Sequence, residues 1–202
     1  VCTVAEALGR TGERYADEAQ RLARRVDDPA RRAELEAIAR RCRQVPRRGA
    51  RTFAEALQGL VLAQIAVVNE GLEVSICPGR VDQILGPYYD ADVAAGRLTP
   101  ERAQAYLSCY VIKLSEVVPV FGSLPNKLFS GLPAYQTVVV GGVDRQGADA
   151  VNDVSYLLLD VVDRLRTRQP NFHARLHPGA PARFTRRVFQ MLGDGANTPA
   201  LY

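Results

Sequence analysis

Apolar residues recur at helical spacing from the start of the chain. Val4, Leu8, Tyr15, Leu22 and Val26 stand between polar residues and predict one long amphipathic helix with those side chains on its buried face. Asp27-Asp28-Pro29 ends it and opens the next, with an acid at the N-cap and Pro in the first turn. Leu35, Ile38, Cys42 and Val45 mark that second helix, and Pro46 to Arg51 reads as a loop. The two helices predict an antiparallel hairpin. Thr52 and Glu55 form a capping-box pair before a third helix, Phe53 to Val68, which is apolar on nearly every side and therefore predicted to be buried all round. Its polar end, Asn69 to Ser75, fits two readings, a pocket wall or a polar cap.

Pro78 and Gly79 punctuate a tight turn, because Pro fixes φ and Gly tolerates positive φ. A helix over Val81 to Ala95 follows and Gly96 closes it. Thr99-Pro100 opens another that runs to about Val118. Pro119 to Leu132 is a loop long enough to suggest a function. Beyond it the pattern becomes strand, helix, strand, helix, strand: Tyr135–Val140, Ala148–Arg166, Asn171–Leu176, Pro181–Leu192 and Thr198–Tyr202. Such alternation predicts an α/β fold with right-handed crossovers in a parallel sheet.

Composition narrows the function. With 47% hydrophobic and 24% charged residues, 202 residues can bury a core. The longest apolar run, Leu60 to Val68, is interrupted by Gln64 and falls short of the roughly 18 residues of a membrane span. With no basic-then-apolar opening, the expectation is a cytoplasmic protein without a membrane partner. Residues 1–51 carry a net charge of +5 and the remainder −1. The arginines of the first quarter alternate with acids at helical spacing and lack interleaved aromatics, so a solvated helix face is expected rather than a nucleic-acid surface. Cys2, Cys42, Cys77 and Cys109 have no metal-site spacing and are expected to be reduced and buried. His173 and His177, without a neighbouring carboxylate in the sequence, make a poor metal site. No phosphate-binding glycine motif and no G-x-S-x-G occurs, and Gly193-Asp194-Gly195 follows a helix as a plain loop.

Pro78-Gly79-Arg80-Val81-Asp82-Gln83 with Pro87-Tyr88-Tyr89 resembles the signature of glycyl radical enzymes, the family of pyruvate formate-lyase and of glycerol and hydroxyproline dehydratases. Gly96-Arg97-Leu98-Thr99, Gly141-Gly142-Val143-Asp144, Asn152 to Leu157 and Gln169-Pro170-Asn171-Phe172 continue the resemblance in order, from about Arg14 to Tyr202. It implies a helix-rich fragment of a ten-stranded α/β barrel, a partial domain over 1–202 with a helical hairpin scaffold at 1–51 and part of the barrel with surrounding helices at 52–202.

The resemblance further implies radical C–C or C–heteroatom cleavage of a small substrate. A glycyl radical generates a thiyl radical on a Cys that is followed two residues later by Glu. Neither a Cys-x-Glu context nor a radical-glycine motif occurs in these residues, so no catalytic residue is assigned here, and the radical is expected in a missing C-terminal part. A radical S-adenosylmethionine activase that installs it, a small-molecule substrate and a homodimer of the parent are the implied partners; no bound cofactor and no metal are expected. Carried over by motif, Val74 and Ser75 face substrate, where dehydratases often hold His-Ser and pyruvate formate-lyase two alanines. Ser123 and Phe129, the latter in Leu128-Phe129-Ser130-Gly131, map to further pocket positions. The alternative function is a non-catalytic helical scaffold module whose Arg-rich face contacts an acidic partner.

Overall fold

The computed structural model describes residues 2–70, 76–117, 127 and 136–202. Helices α1 (Cys2–Ala23), α2 (Pro29–Gln44), α3 (Phe53–Glu70), α4 (Val81–Ala94) and α5 (Pro100–Glu116) precede β1 (Thr137–Gly141), α6 (Asp153–Leu165), β2 (Asn171–Arg175), α7 (Ala182–Gly193) and β3 (Ala200–Leu201). The chain divides into two compact units, Val1–Ala66 and Val67–Tyr202.

In the first unit α1 packs along α2 as expected, but through the opposite face. Gly9, Gly12, Ala16, Ala19 and Ala23 are buried, while Val4, Tyr15 and Leu22 lie exposed. The reason is close backbone approach. A Cβ on Gly12 would stand 2.8 Å from Pro46 Cδ and 2.9 Å from the Cys42 carbonyl oxygen, so only small residues fit the seam. Ala16 and Ala19 meet Ala39, Cys42 and Leu62 there. Gly12→Ala should therefore lose about 1–3 kcal/mol through overpacking, although Ala is the better helix former. A denaturation midpoint equal to or above wild type would contradict this.

Asp28 caps α2 by accepting the Ala30 N–H at 2.9 Å. Thr52 accepts the Glu55 N–H at 3.2 Å, but Glu55 reaches back to the Arg51 N–H and guanidinium rather than to Thr52, so the capping box closes one residue early. The third helix is not buried all round: Leu60, Val61 and Ile65 are half-buried and Val67 is exposed. On the Arg-rich helices Arg21 pairs with Glu18, Arg31 with Glu34, Arg43 with Asp17 and Arg47 with Glu13. These exposed pairs make a solvated face and add little stability each.

In the second unit the three strands form a parallel sheet in the order β1-β2-β3. Val138 and Val140 on β1, with Phe172 and Ala174 on β2, are buried, while Thr137, Val139, Asn171 and His173 alternate with them and are half-buried. Helices α4 and α6 pack against β1, and α5 packs on α6. Gln136, fully buried, donates to the carbonyls of Leu114 and Val117 and accepts the Asn171 N–H, tying the end of α5 to the start of the sheet. The Gly96–Thr99 motif joins two helices: Gly96 takes φ +66°, Arg97 pairs with Asp92, Leu98 is buried, and Thr99 caps α5 through the Arg102 N–H. The helix expected from Ala148 starts later, because Asp144 holds the Gln146 and Ala148 N–H groups in a turn and Asn152 supplies the N-cap. The expected loop over 119–132 falls outside the described residues, apart from Lys127.

Candidate functional site

The Pro-Gly turn joins the sheet before it becomes a helix. Gly79 bridges Val138 in the parallel sense, and its carbonyl accepts the Val139 N–H at 2.9 Å. A φ of +75° at Gly79 then turns the chain toward Arg80, the N-cap of α4. Arg80 offers no side-chain cap to its own helix and reaches across to donate to the Gly141 carbonyl at 3.0 Å, where Gln83 Nε2 donates as well at 3.2 Å.

Asp82 is the centre of this region and is wholly buried. One carboxylate oxygen accepts the Gly141 N–H at 2.7 Å and the Ser155 hydroxyl at 2.6 Å; the other accepts the Gln83 N–H at 2.8 Å. Burial pushes its pKa up from the ordinary value, against the pull of those donors and of the Arg80 charge. Ser155 Oγ also accepts the Asn152 N–H at 3.1 Å, and Asn152 accepts the Ser155 N–H, a reciprocal cap on α6. Asn152 Nδ2 donates to the Asp82 carbonyl at 3.1 Å and lies against Gly86, where a Cβ would come within 2.9 Å. Three of the sequence motifs thus converge on one carboxylate. With both oxygens engaged and no exposure, it can hold geometry but cannot exchange a proton with a ligand.

The carboxyl ends of the strands gather further polar groups, as they do at ligand sites of open parallel sheets. Gly142, at φ +82°, donates to the Arg175 carbonyl at 2.9 Å, and its missing Cβ leaves room for the Arg175 stem and for Arg80 Nη2. His177 Nδ1 accepts the Gly179 N–H at 3.2 Å. Its Nε2 therefore carries the proton donated to Asp149 at 2.9 Å. A carboxylate thus does stand beside His177, contrary to the sequence-based expectation, but among the described residues no group of three metal-ligating side chains forms. His173 stacks on Tyr202 with ring centroids 4.9 Å apart.

The four residues carried over as substrate contacts, Val74, Ser75, Ser123 and Phe129, lie outside the described residues. Sequence pattern alone marks neither the Asp82–Ser155–Asn152 network nor His173 as a site. Asp82 stood in a quoted motif, but its partners lie 59 and 73 residues away. The expected burial of the cysteines holds for Cys42 alone, whose thiol burial pushes its pKa up; Cys2, Cys77 and Cys109 are exposed because their helices or turn present them outward.

The family model described as Pyruvate formate lyase-like matches residues 1–202. Trans-4-hydroxy-L-proline dehydratase of Clostridioides difficile is 32% identical over 199 residues, which is 98% of this chain and 25% of the relative. Isethionate sulfite-lyase of Nitratidesulfovibrio vulgaris is 32% identical over 100% of the chain and 24% of its own length. Among solved structures, a glycyl radical enzyme from Archaeoglobus fulgidus superposes with a TM-score of 0.91 at 43% identity, over 98% of this chain and 25% of that one. The glycerol-bound form of the B12-independent glycerol dehydratase from Clostridium butyricum gives 0.90 at 34% identity, with the same coverage. The chain spans about a quarter of the length of these relatives.

Proposed function

The chain belongs to the pyruvate formate lyase-like family, and on that premise we propose that it forms one wall of the substrate chamber in a glycyl radical dehydratase or lyase that cleaves a C–C or C–heteroatom bond of a small molecule. The family's chemistry rests on a glycyl radical, which in this reading is carried by another part of the parent and installed by a radical S-adenosylmethionine activase. The parent acts as a homodimer in the cytoplasm. This chain contributes no radical residue. Its work is to position substrate contacts, with Ser75 hydrogen-bonding a polar group and Phe129 packing on the carbon skeleton; Val74 and Ser123 complete that wall.

The observation that carries this reading is the convergence of the Asp82, Gly141 and Ser155 motifs at the turn that immediately follows Ser75. A buried carboxylate with three donors is a costly way to hold a surface turn, and such networks fix a unique local geometry when fully satisfied. Arg21, Arg43 and Arg47 of the Arg-rich face are already paired with the chain's own acids, which leaves fewer free charges for the acidic partner of the scaffold alternative.

The test is anaerobic activation of the parent protein with its activase, read by electron paramagnetic resonance. A doublet radical signal is expected from the parent and none from residues 1–202 alone. In the parent, Ser75→Ala should cost about 0.5–1.5 kcal/mol of substrate binding, up to roughly tenfold in kcat/KM, at unchanged Tm. Unaltered kcat/KM in a folded Ser75→Ala enzyme would remove Ser75 from the site.

A further inference from the structure

The sheet of the second unit has two unlike faces. Val138, Val140, Phe172 and Ala174 are buried at 0–1% exposure on the face that packs helices. Thr137, Val139, Asn171 and His173 alternate with them and are half-buried. Strand side chains alternate faces with a period of two, and the architecture is part of a larger α/β barrel like that of the glycyl radical enzyme it superposes on. In such barrels the helices ring the outside and the other face of each strand looks inward.

His173 stands at the centre of that inward face, with Arg175 two residues further along the same side of β2, at its exposed end. Its register partners are Val139 on β1 and Ala200 on β3, both without polar side-chain atoms. Asn171, on the same face, is engaged by Gln169 Nε2 at 3.4 Å. The ring nitrogens of His173 meet no hydrogen-bond partner or ion pair among the described residues. Tyr202, itself 72% exposed, stacks on the ring at an interplanar angle of 23°, and its backbone is held in the sheet, donating to the Ala174 carbonyl at 3.1 Å and accepting the Leu176 N–H at 2.8 Å. A half-buried imidazole with an oriented ring and no partner for its nitrogens among the described residues is set up to meet a ligand, since buried polar groups find partners.

We propose that His173 contacts the substrate, presenting a ring nitrogen to a hydroxyl or carboxylate-like oxygen, with Tyr202 as the positioning residue that fixes the ring plane. This rests on the reading of the chain as a wall of a radical enzyme's chamber. It adds a polar contact on the strand side of the chain, and it assigns the substrate to small molecules that bear oxygen donors or acceptors.

The experiment uses the full-length parent activated anaerobically, with glycerol, trans-4-hydroxy-L-proline and isethionate as probes. Radical content is counted by electron paramagnetic resonance, and Tm and kcat/KM are measured for wild type, His173→Ala, His173→Gln, Tyr202→Phe and Tyr202→Ala. Expected are equal radical content and Tm, a loss of tenfold or more in kcat/KM for His173→Ala, partial recovery in His173→Gln, near-wild-type values for Tyr202→Phe and an intermediate loss for Tyr202→Ala. Wild-type kcat/KM in His173→Ala, or a loss that only tracks Tm or radical content, overturns the assignment while leaving the radical reading intact. A wild-type parent with a radical that consumes none of the probes overturns the substrate class. A wild-type parent with no radical overturns the underlying reading and the role of His173 with it.

Discussion

Asp82→Ala is expected to destabilise the fold by about 3–5 kcal/mol, because it strands the buried Gly141 N–H and the Ser155 hydroxyl at about 1–3 kcal/mol each and opens a cavity beside them. Both donors converge on one oxygen, at 2.7 and 2.6 Å. Urea unfolding checks the size, and a loss below about 1 kcal/mol would show that the carboxylate is dispensable. Ser155→Ala removes one donor and should cost less. In Asp82→Ala/Ser155→Ala the costs should fall short of additive, since the second change removes a group the first had left unpaired. The pH dependence has a definite sign. Burial raises the Asp82 pKa in the folded chain, so its contribution to stability is fully present below the unfolded-state value and is lost as pH rises through the raised folded one. Asp82→Ala should remove that component, leaving a flatter profile above pH 4 than the wild type has.

Caps and strands were legible because their signals are local. Asp28 and Thr99 accept the N–H groups expected of N-caps, and Gly96 ends α4 at positive φ. The alternation in Thr137–Gly141 and Asn171–Arg175 matches a parallel pair with one face packed. The buried side of α1 was not legible from large apolar residues. Its seam is set by how closely two backbones approach, and a periodicity of Gly and Ala carries that information without hydrophobic bulk. The start of α6 was misplaced by five residues because Val143 pairs back on Asp149, a turn whose anchor is Asp144. Resemblance located the motifs, but their mutual contact is tertiary: nothing near Asp82 in sequence announces Gly141 or Ser155. The sequence offers His173 only as half of a poor metal pair with His177, and its meaning comes from strand parity and the ring stacked on it.

Gly141→Ala carries the other large expected effect. Gly141 sits at φ +73°, where an L side chain is strained by about 1–2 kcal/mol. Its new Cβ would stand 2.8 Å from Phe184 Cζ, 2.9 Å from Phe184 Cε1 and 3.1 Å from the Arg175 carbonyl oxygen. Phe184 is fully buried on α7 and packs edge-on against Tyr156, so its ring cannot swing away freely. Overpacking adds about 1–3 kcal/mol, for a total of about 2–5 kcal/mol. The two terms can be separated. Phe184→Leu alone should destabilise by removing ring contacts, but in Gly141→Ala/Phe184→Leu the shorter side chain makes room for the methyl group. The double mutant should therefore be more stable than the sum of the single losses predicts, by the overpacking share. The φ strain and the approach of the Arg175 carbonyl would remain. Because Gly141 also gives its N–H to Asp82 and its carbonyl to Arg80 and Gln83, any backbone shift that relieves the clash must lengthen those bonds. Strict additivity in urea unfolding of the four proteins would mean that the Phe184 contact is not what excludes a side chain, and that backbone strain alone selects glycine here.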